Sequence, residues 1–219
     1  CTVLEGHGRF VGPKRVQVGD EALTADKVFI NVGGRAVIPP IPGLDQISYL
    51  TNSSMMDVDF LPPHLIVLGG SYVGLEFAQM YRRFGSEVTV VELAAHLIAR
   101  EDEDVSRAIA EILKDEKIDV RVNSKVVAVG KHGNDIAVTL ERGGAKSQII
   151  GSHLLLAVGR RPNTDDLGLD KAGVATNSRG YIEVDDQLRT NVPGIWALGD
   201  CNGKGAFTHT TWNDYEIVA

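Results

Sequence analysis

One stretch constrains the fold of this chain more than any other: the apolar run Leu65-Ile66-Val67-Leu68 leads directly into Gly69-Gly70-Ser71-Tyr72-Val73-Gly74. Such a run reads as a strand buried on both faces. A glycine turn that leaves a buried strand and opens a helix lets backbone N–H groups approach an anion, because a helix's first turn has unpaired donors and the positive end of its dipole. The pattern that follows predicts a helix from about Tyr72 to Phe84 closed by Gly85, then the strand Val88-Thr89-Val90-Val91. The strand ends at the acidic Glu92, 18 residues beyond Gly74. This β-α-β unit matches the dinucleotide fingerprint: Gly69 and Gly70 for the turn, Gly74 for close packing of helix on strand, and Glu92 for the ribose hydroxyls of NAD. A carboxylate at Glu92 repels the extra phosphate of NADP. The competing reading is a helix-packing glycine turn with a solvated glutamate. The strand before, the helix after and the acidic residue at the expected distance favour the nucleotide.

Ser71 occupies the place where the fingerprint usually has its second glycine, and its hydroxyl is a potential donor to phosphate. Arg100, beyond Glu92, keeps open a minor reading in which NADP is also accepted through its 2′-phosphate. The 219 residues are 43% hydrophobic and 23% charged, the profile of a globular protein. A formal net charge of −7 without a basic run argues against nucleic acid and anionic membrane surfaces. No apolar stretch approaches the roughly 20 residues that cross a bilayer. The two cysteines, Cys1 and Cys201, form neither a CxxC nor a CxxxxC pair, so a cytoplasmic setting is expected. The chain starts at Cys1 without an initiator methionine and is expected to be part of something longer.

Elsewhere the pattern predicts an α/β protein. Thr2-Val3-Leu4 reads as strand-like, and short antiparallel strands follow as far as Ile30, separated by Gly6-His7-Gly8, Gly12-Pro13-Lys14 and Gly19-Asp20. Ile38-Pro39-Pro40-Ile41-Pro42-Gly43 is a stiff crossing. Glu101 to Asp104 open a second helix, with Val105, Ile109, Ile112 and Leu113 on one face. From Val120 to Leu156, turns at Gly130, Gly133-Asn134 and Gly143-Gly144 predict an antiparallel meander inserted into a parallel sheet. Tyr181-Ile182-Glu183-Val184 and Ile195-Trp196-Ala197 read as strands, and the chain stops inside a helix from Thr210.

Five ordered motifs, Gly6 to Phe10, Asn31 to Gly34, Gly69 to Glu76, Ala157 to Thr164 and Trp196 to Asp200, resemble the pyridine nucleotide-disulfide oxidoreductases. These are flavoenzymes such as dihydrolipoamide dehydrogenase, glutathione reductase and mercuric reductase. The ending Gly205 to Thr210 is more similar to the mercuric-reductase-like branch.

The resemblance implies a Rossmann-like NAD(P)H-binding domain at 34–162, flanked by 1–33 and 163–219 as parts of an FAD-binding domain. It implies an enzyme that passes hydride from NADH to FAD and electrons on to a disulfide or metal ion. Tyr72 would be the gate over the flavin, and Glu76, one helical turn on, would pair with a lysine beside it. Val126 and Gly159 would border the NAD site, and Gly8, Val32, Gly33 and Asp200 the FAD. Val32 stands in place of a threonine and has no hydroxyl to offer. Ala206, Phe207, Thr208 and His209 would lie along the flavin edge, with His209 a contact and not a base, and Cys201 a buried filler.

The same resemblance implies an FAD fingerprint and redox cysteine pair before residue 1, and a dimerisation domain supplying a homodimer partner after residue 219. The chain alone is then expected to bind NADH, hold no FAD and reduce no disulfide. The competing functions are a non-catalytic NAD-binding or sensing module and a flavin oxidoreductase that uses oxygen or a quinone.

Overall fold

The computed structural model describes residues 1–219, which divide into two compact units: Ala36–Gly159, and Cys1–Arg35 together with Arg160–Ala219. In chain order the strands and helices are β1 (Gly8–Gly12), β2 (Arg15–Val18), β3 (Glu21–Thr24), β4 (Val28–Ile30), β5 (Gly34–Ala36), β6 (Leu50–Thr51), β7 (His64–Leu68), α1 (Tyr72–Phe84), β8 (Glu87–Val91), α2 (Glu103–Asp115), β9 (Asp119–Arg121), β10 (Lys125–His132), β11 (Asp135–Arg142), β12 (Ala145–Gly151), β13 (His153–Leu156), β14 (Arg160–Pro162), α3 (Leu169–Ala172), β15 (Ile195–Ala197) and α4 (Thr208–Val218).

In the unit Ala36–Gly159 a five-stranded parallel sheet runs in the order β6-β13-β7-β8-β9. The apolar runs are continuous because both faces are covered. Leu65, Val67, Val88, Val90 and Leu155 point to one face, where they pack with Leu75 and Ala78 of α1 and Leu113 of α2. Ile66, Leu68, Val91, Leu154 and Leu156 point to the other, against Val129, Ile136, Val138, Leu140 and Ile149 of the β10-β11-β12 meander. Leu65, Ile66, Val67, Leu154 and Leu155 are fully buried; each such side chain contributes about 1.5–3 kcal/mol. Helix α1 ends at Gly85, whose N–H donates to Arg82 and Tyr81 carbonyls. Beyond it Glu116, just past α2, accepts from Gln79 Nε2 at 2.7 Å and Arg83 Nη2 at 2.6 Å, which ties the two helices together at the surface.

Several expectations are corrected. Helix α2 turns Ser106 and Leu113 inward, with Ile109 packed against the core, while Val105 and Ile112 are 42% and 50% exposed. The face is rotated because the Ser106 hydroxyl donates to the Leu97 carbonyl at 2.7 Å, which makes a polar residue the inward one. Gly130 is no turn: it lies inside β10, opposite Ala137, and the two tight turns of the meander are at Gly133-Asn134 and Gly143-Gly144.

In the other unit β1, β2 and β3 form an antiparallel meander, β4 pairs parallel with β15, and β5 pairs with β14. Phe10, Ile30, Leu167, Leu169, Ile182, Ile195, Ala197 and Cys201 make its core. Thr2 to Leu4 form no strand; no partner lies beside them and Val3 is 78% exposed. Residues 181–184 are likewise not a strand but make a single bridge, Ile182 to Thr176, with the Ile182 N–H donating to the Cys201 carbonyl instead of to a ladder. Helix α4 begins at Thr208, two residues earlier than expected. Thr210 Oγ1, which accepts from the Phe207 N–H at 3.2 Å and donates to the Phe207 carbonyl at 2.7 Å, is what extends it. No helix is long and apolar enough to cross a membrane.

Candidate nucleotide site

The glycine turn connects the C-terminal end of β7 to α1, beside the end of β8, the edge where open α/β sheets hold ligands. Gly69 has φ 111°, and a Cβ on it would overlap the Ala157 carbonyl oxygen. A Cβ on Gly74 would overlap the Gly69 carbonyl oxygen. These two glycines are therefore demanded by packing within the chain. Ser71 is the N-cap of α1 in an extended conformation, φ −108° and ψ −175°, which any residue adopts. Serine in the usual glycine position thus costs no backbone strain. Its side chain makes no capping hydrogen bond and is exposed, so no side chain closes the positive end of α1, where Tyr72, Val73 and Gly74 form the first turn.

Glu92 is more than an acidic residue at a strand end. Its Oε2 accepts from the Gly70 N–H at 2.6 Å and its Oε1 from the Ala94 N–H at 2.7 Å. The carboxylate so fixes the turn from one side and retains acceptor capacity on both oxygens for further donors. From the other side Ile98, 4% exposed and at φ 41°, donates its N–H to the Gly70 carbonyl at 2.8 Å. A β-branched residue in the left-handed region is strained and persists only where its surroundings hold it. Tyr72 and Glu76 are both exposed, one helical turn apart on α1, and the Tyr72 hydroxyl donates to Glu101 Oε1. That bond raises the phenol above its ordinary titration range.

Two further predicted residues of this unit fall differently. Val126 is half-buried in β10 and packs against the core on the meander side of the sheet. Gly159 has φ 128° and open space where a Cβ would stand, so its backbone conformation, not protein packing, requires glycine.

In the other unit, Gly8 and Val32 line a cleft of about 540 Å³ together with Gly6, His7, Arg35, Asn163 and Asp165; Gly33 follows Val32 directly. Its wall is cross-linked: Asn163 Nδ2 donates to the Val32 carbonyl at 2.9 Å, and Arg35 donates to Asn163 Oδ1 at 2.8 Å and Asp165 Oδ2 at 2.6 Å. The Arg35 guanidinium holds the Asp165 carboxyl below the usual range. Asp200 does not line this cleft; its carboxylate pairs with Arg160 at 3.1 Å, and Arg160 also donates to the Gly34 carbonyl at 2.7 Å. Ala206, Phe207, Thr208 and His209 are exposed around the start of α4, with the His209 ring stacked on Phe207 at 5.3 Å between centroids. A Cβ on Gly33 would meet nothing within 4 Å, and the neighbouring cleft presents the polar groups of Arg35, Asn163 and Asp165, a lining that fits a polar, extended cofactor.

Cys201 is fully buried, its thiol 3.1 Å from the Leu198 carbonyl, and burial pushes its pKa up. At neutral pH an aromatic disulfide reagent is expected to label the exposed Cys1 within minutes and Cys201 on the order of 10³-fold more slowly, at the rate of local opening. Two thiols reacting at similar rates would contradict this placement.

Sequence reasoning missed Glu101, Arg35 and the second role of Glu92. Glu101 reads as part of an acidic first turn, but Asp102 is the N-cap of α2, which leaves Glu101 outside the helix and free to meet Tyr72.

A parallel sheet that carries a dinucleotide-type glycine turn, with a meander on one face, defines an α/β protein of the Rossmann-like type. Residues 1–214 match the family described as Pyridine nucleotide-disulphide oxidoreductase, and this chain belongs to that family. It is 38% identical over 99% of its length to a probable pyridine nucleotide-disulfide oxidoreductase, RclA, of Escherichia coli strain K12, covering 49% of that protein. It is 42% identical to a mercuric reductase of Streptomyces lividans, over 92% of this chain and 42% of that one. Its fold matches the Cu(II) complex of the HOCl-induced flavoprotein disulfide reductase RclA of Escherichia coli with a TM-score of 0.92 at 38% identity, over 99% of this chain and 49% of the other. The chain spans about half the length of the curated relatives it matches.

Proposed function

We propose that this chain carries the nicotinamide-dinucleotide site of an FAD-dependent oxidoreductase that passes hydride from NADH to flavin and electrons onward to a disulfide or metal-ion acceptor. The observation that carries the reading is the glycine turn of Gly69 to Gly74, fixed from one side by Glu92 and left uncapped at the start of α1. A diphosphate meets converging N–H groups there, and the ribose hydroxyls meet a carboxylate whose lone pairs are only partly used. The charge of Glu92 favours NADH over NADPH. Residues 34–162 are the nucleotide domain in this reading, with Val126 and Gly159 at its border, and 1–33 and 163–219 belong to the flavin domain. FAD, when bound, supplies the two-electron acceptor for the hydride; Gly8, Val32, Gly33, Asp200 and the 206–209 segment are the residues that would hold it. Tyr72 and Glu76 serve delivery from the nicotinamide side. Relatives named for mercury and for disulfides support an acceptor of one of these two kinds. The whole protein works as a homodimer in the cytoplasm on this reading.

The test is a titration of the chain with NADH and NADPH, followed by nicotinamide fluorescence. Saturable NADH binding is expected with a Kd on the order of 10–100 µM, with NADPH about tenfold weaker or more. No saturable signal up to millimolar NADH would reject the site.

A further inference from the structure

The connection from β8 to α2 is drawn across the glycine turn and pinned there. The Ile98 N–H holds the Gly70 carbonyl, and the Glu101 N–H in turn donates to the Ile98 carbonyl at 2.8 Å. The position of Glu101 is therefore referred, through two hydrogen bonds, to the turn itself. Tyr72, the first residue of α1, reaches out from the same turn to donate its hydroxyl to Glu101. The ring is 42% exposed, so neither group needs the other to escape desolvation; water could satisfy both. The neighbouring Arg100 acts electrostatically on the same phenol. The first side chain of α1 is thus tied to the connection between β8 and α2.

We propose that Glu101 is a latch for Tyr72: its carboxylate holds the ring across the mouth of the glycine turn in the unliganded chain, and a ligand carrying nicotinamide has to break that hydrogen bond before it seats. The inference rests on the reading of Tyr72 as the gate over the flavin that nicotinamide displaces, and makes Glu101 a positioning residue that acts through it. The latch opposes only ligands that extend past the ring. ADP-ribose has the same adenosine and diphosphate as NADH but ends before the nicotinamide, so it is indifferent to the latch. It still senses the negative charge of Glu101 through its diphosphate, which allows charge and latch to be separated.

Tyr72→Phe removes the latch and keeps the charge. Glu101→Gln removes the charge and keeps an acceptor for the phenol. Glu101→Ala removes both. Affinities for NADH and ADP-ribose are measured calorimetrically for the four chains. NADH is expected to bind threefold to tenfold tighter to Tyr72→Phe and Glu101→Ala, the scale of one surface hydrogen bond, with the NADH-to-ADP-ribose affinity ratio rising by the same factor. In Glu101→Gln the ratio stays within about twofold of the parent while both affinities rise together. A second readout is independent of ligand: in alkaline ultraviolet titration one tyrosine of Glu101→Ala ionises at lower pH than in the parent chain. An unchanged ratio in both Tyr72→Phe and Glu101→Ala, with NADH still bound by the parent, overturns the latch alone. A parent chain that binds neither ligand overturns the nucleotide site and the latch with it.

Discussion

A Gly74→Ala chain is expected to melt about 6 °C below the parent and to bind NADH more than tenfold more weakly. Gly74 lies within α1, where alanine is ordinarily the better helix former by about 1 kcal/mol, so propensity alone predicts a more stable protein. Against it stands the Gly69 carbonyl oxygen, which the new Cβ would overlap, with the Ala157 Cβ 3.3 Å away on the other side. Neither neighbour is the free end of a flexible side chain, so the helix has to move off the sheet. Overpacking of this kind costs about 3 kcal/mol, and for a protein of this size each kcal/mol lowers Tm by roughly 2–4 °C. The clash therefore outweighs the propensity gain, and the sign of the change decides between them. Circular-dichroism melting that shows equal or higher Tm would mean that helix and turn are not packed as described.

Reversing the charge at Glu92 has the largest expected effect on ligand choice. Glu92→Arg removes both backbone contacts, to the Gly70 and Ala94 N–H groups, and puts a guanidinium where a carboxylate stood. The ratio of NADH to NADPH affinity is expected to fall by about 100-fold, since the 2′ group changes from repelled to paired. Because the turn loses its acceptor, absolute affinity for NADH falls as well. Titration of the variant with both nucleotides checks this; a ratio equal to that of the parent would remove Glu92 from the discriminating position.

The β-α-β unit was legible because each of its determinants is local. The apolar run, the glycines, the helix between Tyr72 and Phe84 and its Gly85 cap lie within one stretch, and α1 has the predicted ends. Where a partner distant in sequence decides, periodicity alone falls short. The apolar residues of α2 permit two adjacent faces, and the choice of Ser106 over Val105 depends on a carbonyl at Leu97 that no pattern reveals. Thr2 to Leu4 and Tyr181 to Val184 have strand-like composition but no ladder to join. At the site, Glu92 was recognisable by type and spacing. Its grip on Gly70, and the meeting of Tyr72 with Glu101, follow from a loop whose course depends on a positive φ at Ile98, a conformation its side chain does not advertise.

The strand order β6-β13-β7-β8-β9 also sets a schedule for the growing polypeptide. Residues 64–121 contain three neighbouring strands and both covering helices, so this part can assemble as soon as it is made. The slot between β6 and β7 stays vacant until β13, at 153–156, has been synthesised, and until then one edge of a strongly apolar sheet lacks its neighbour. The other unit waits longer, because β4 near the start of the chain pairs only with β15 at 195–197. Ribosomal emergence thus brings the continuous unit to completion first and leaves the divided one open, and it is during that interval that chaperones and proteases have most to act on.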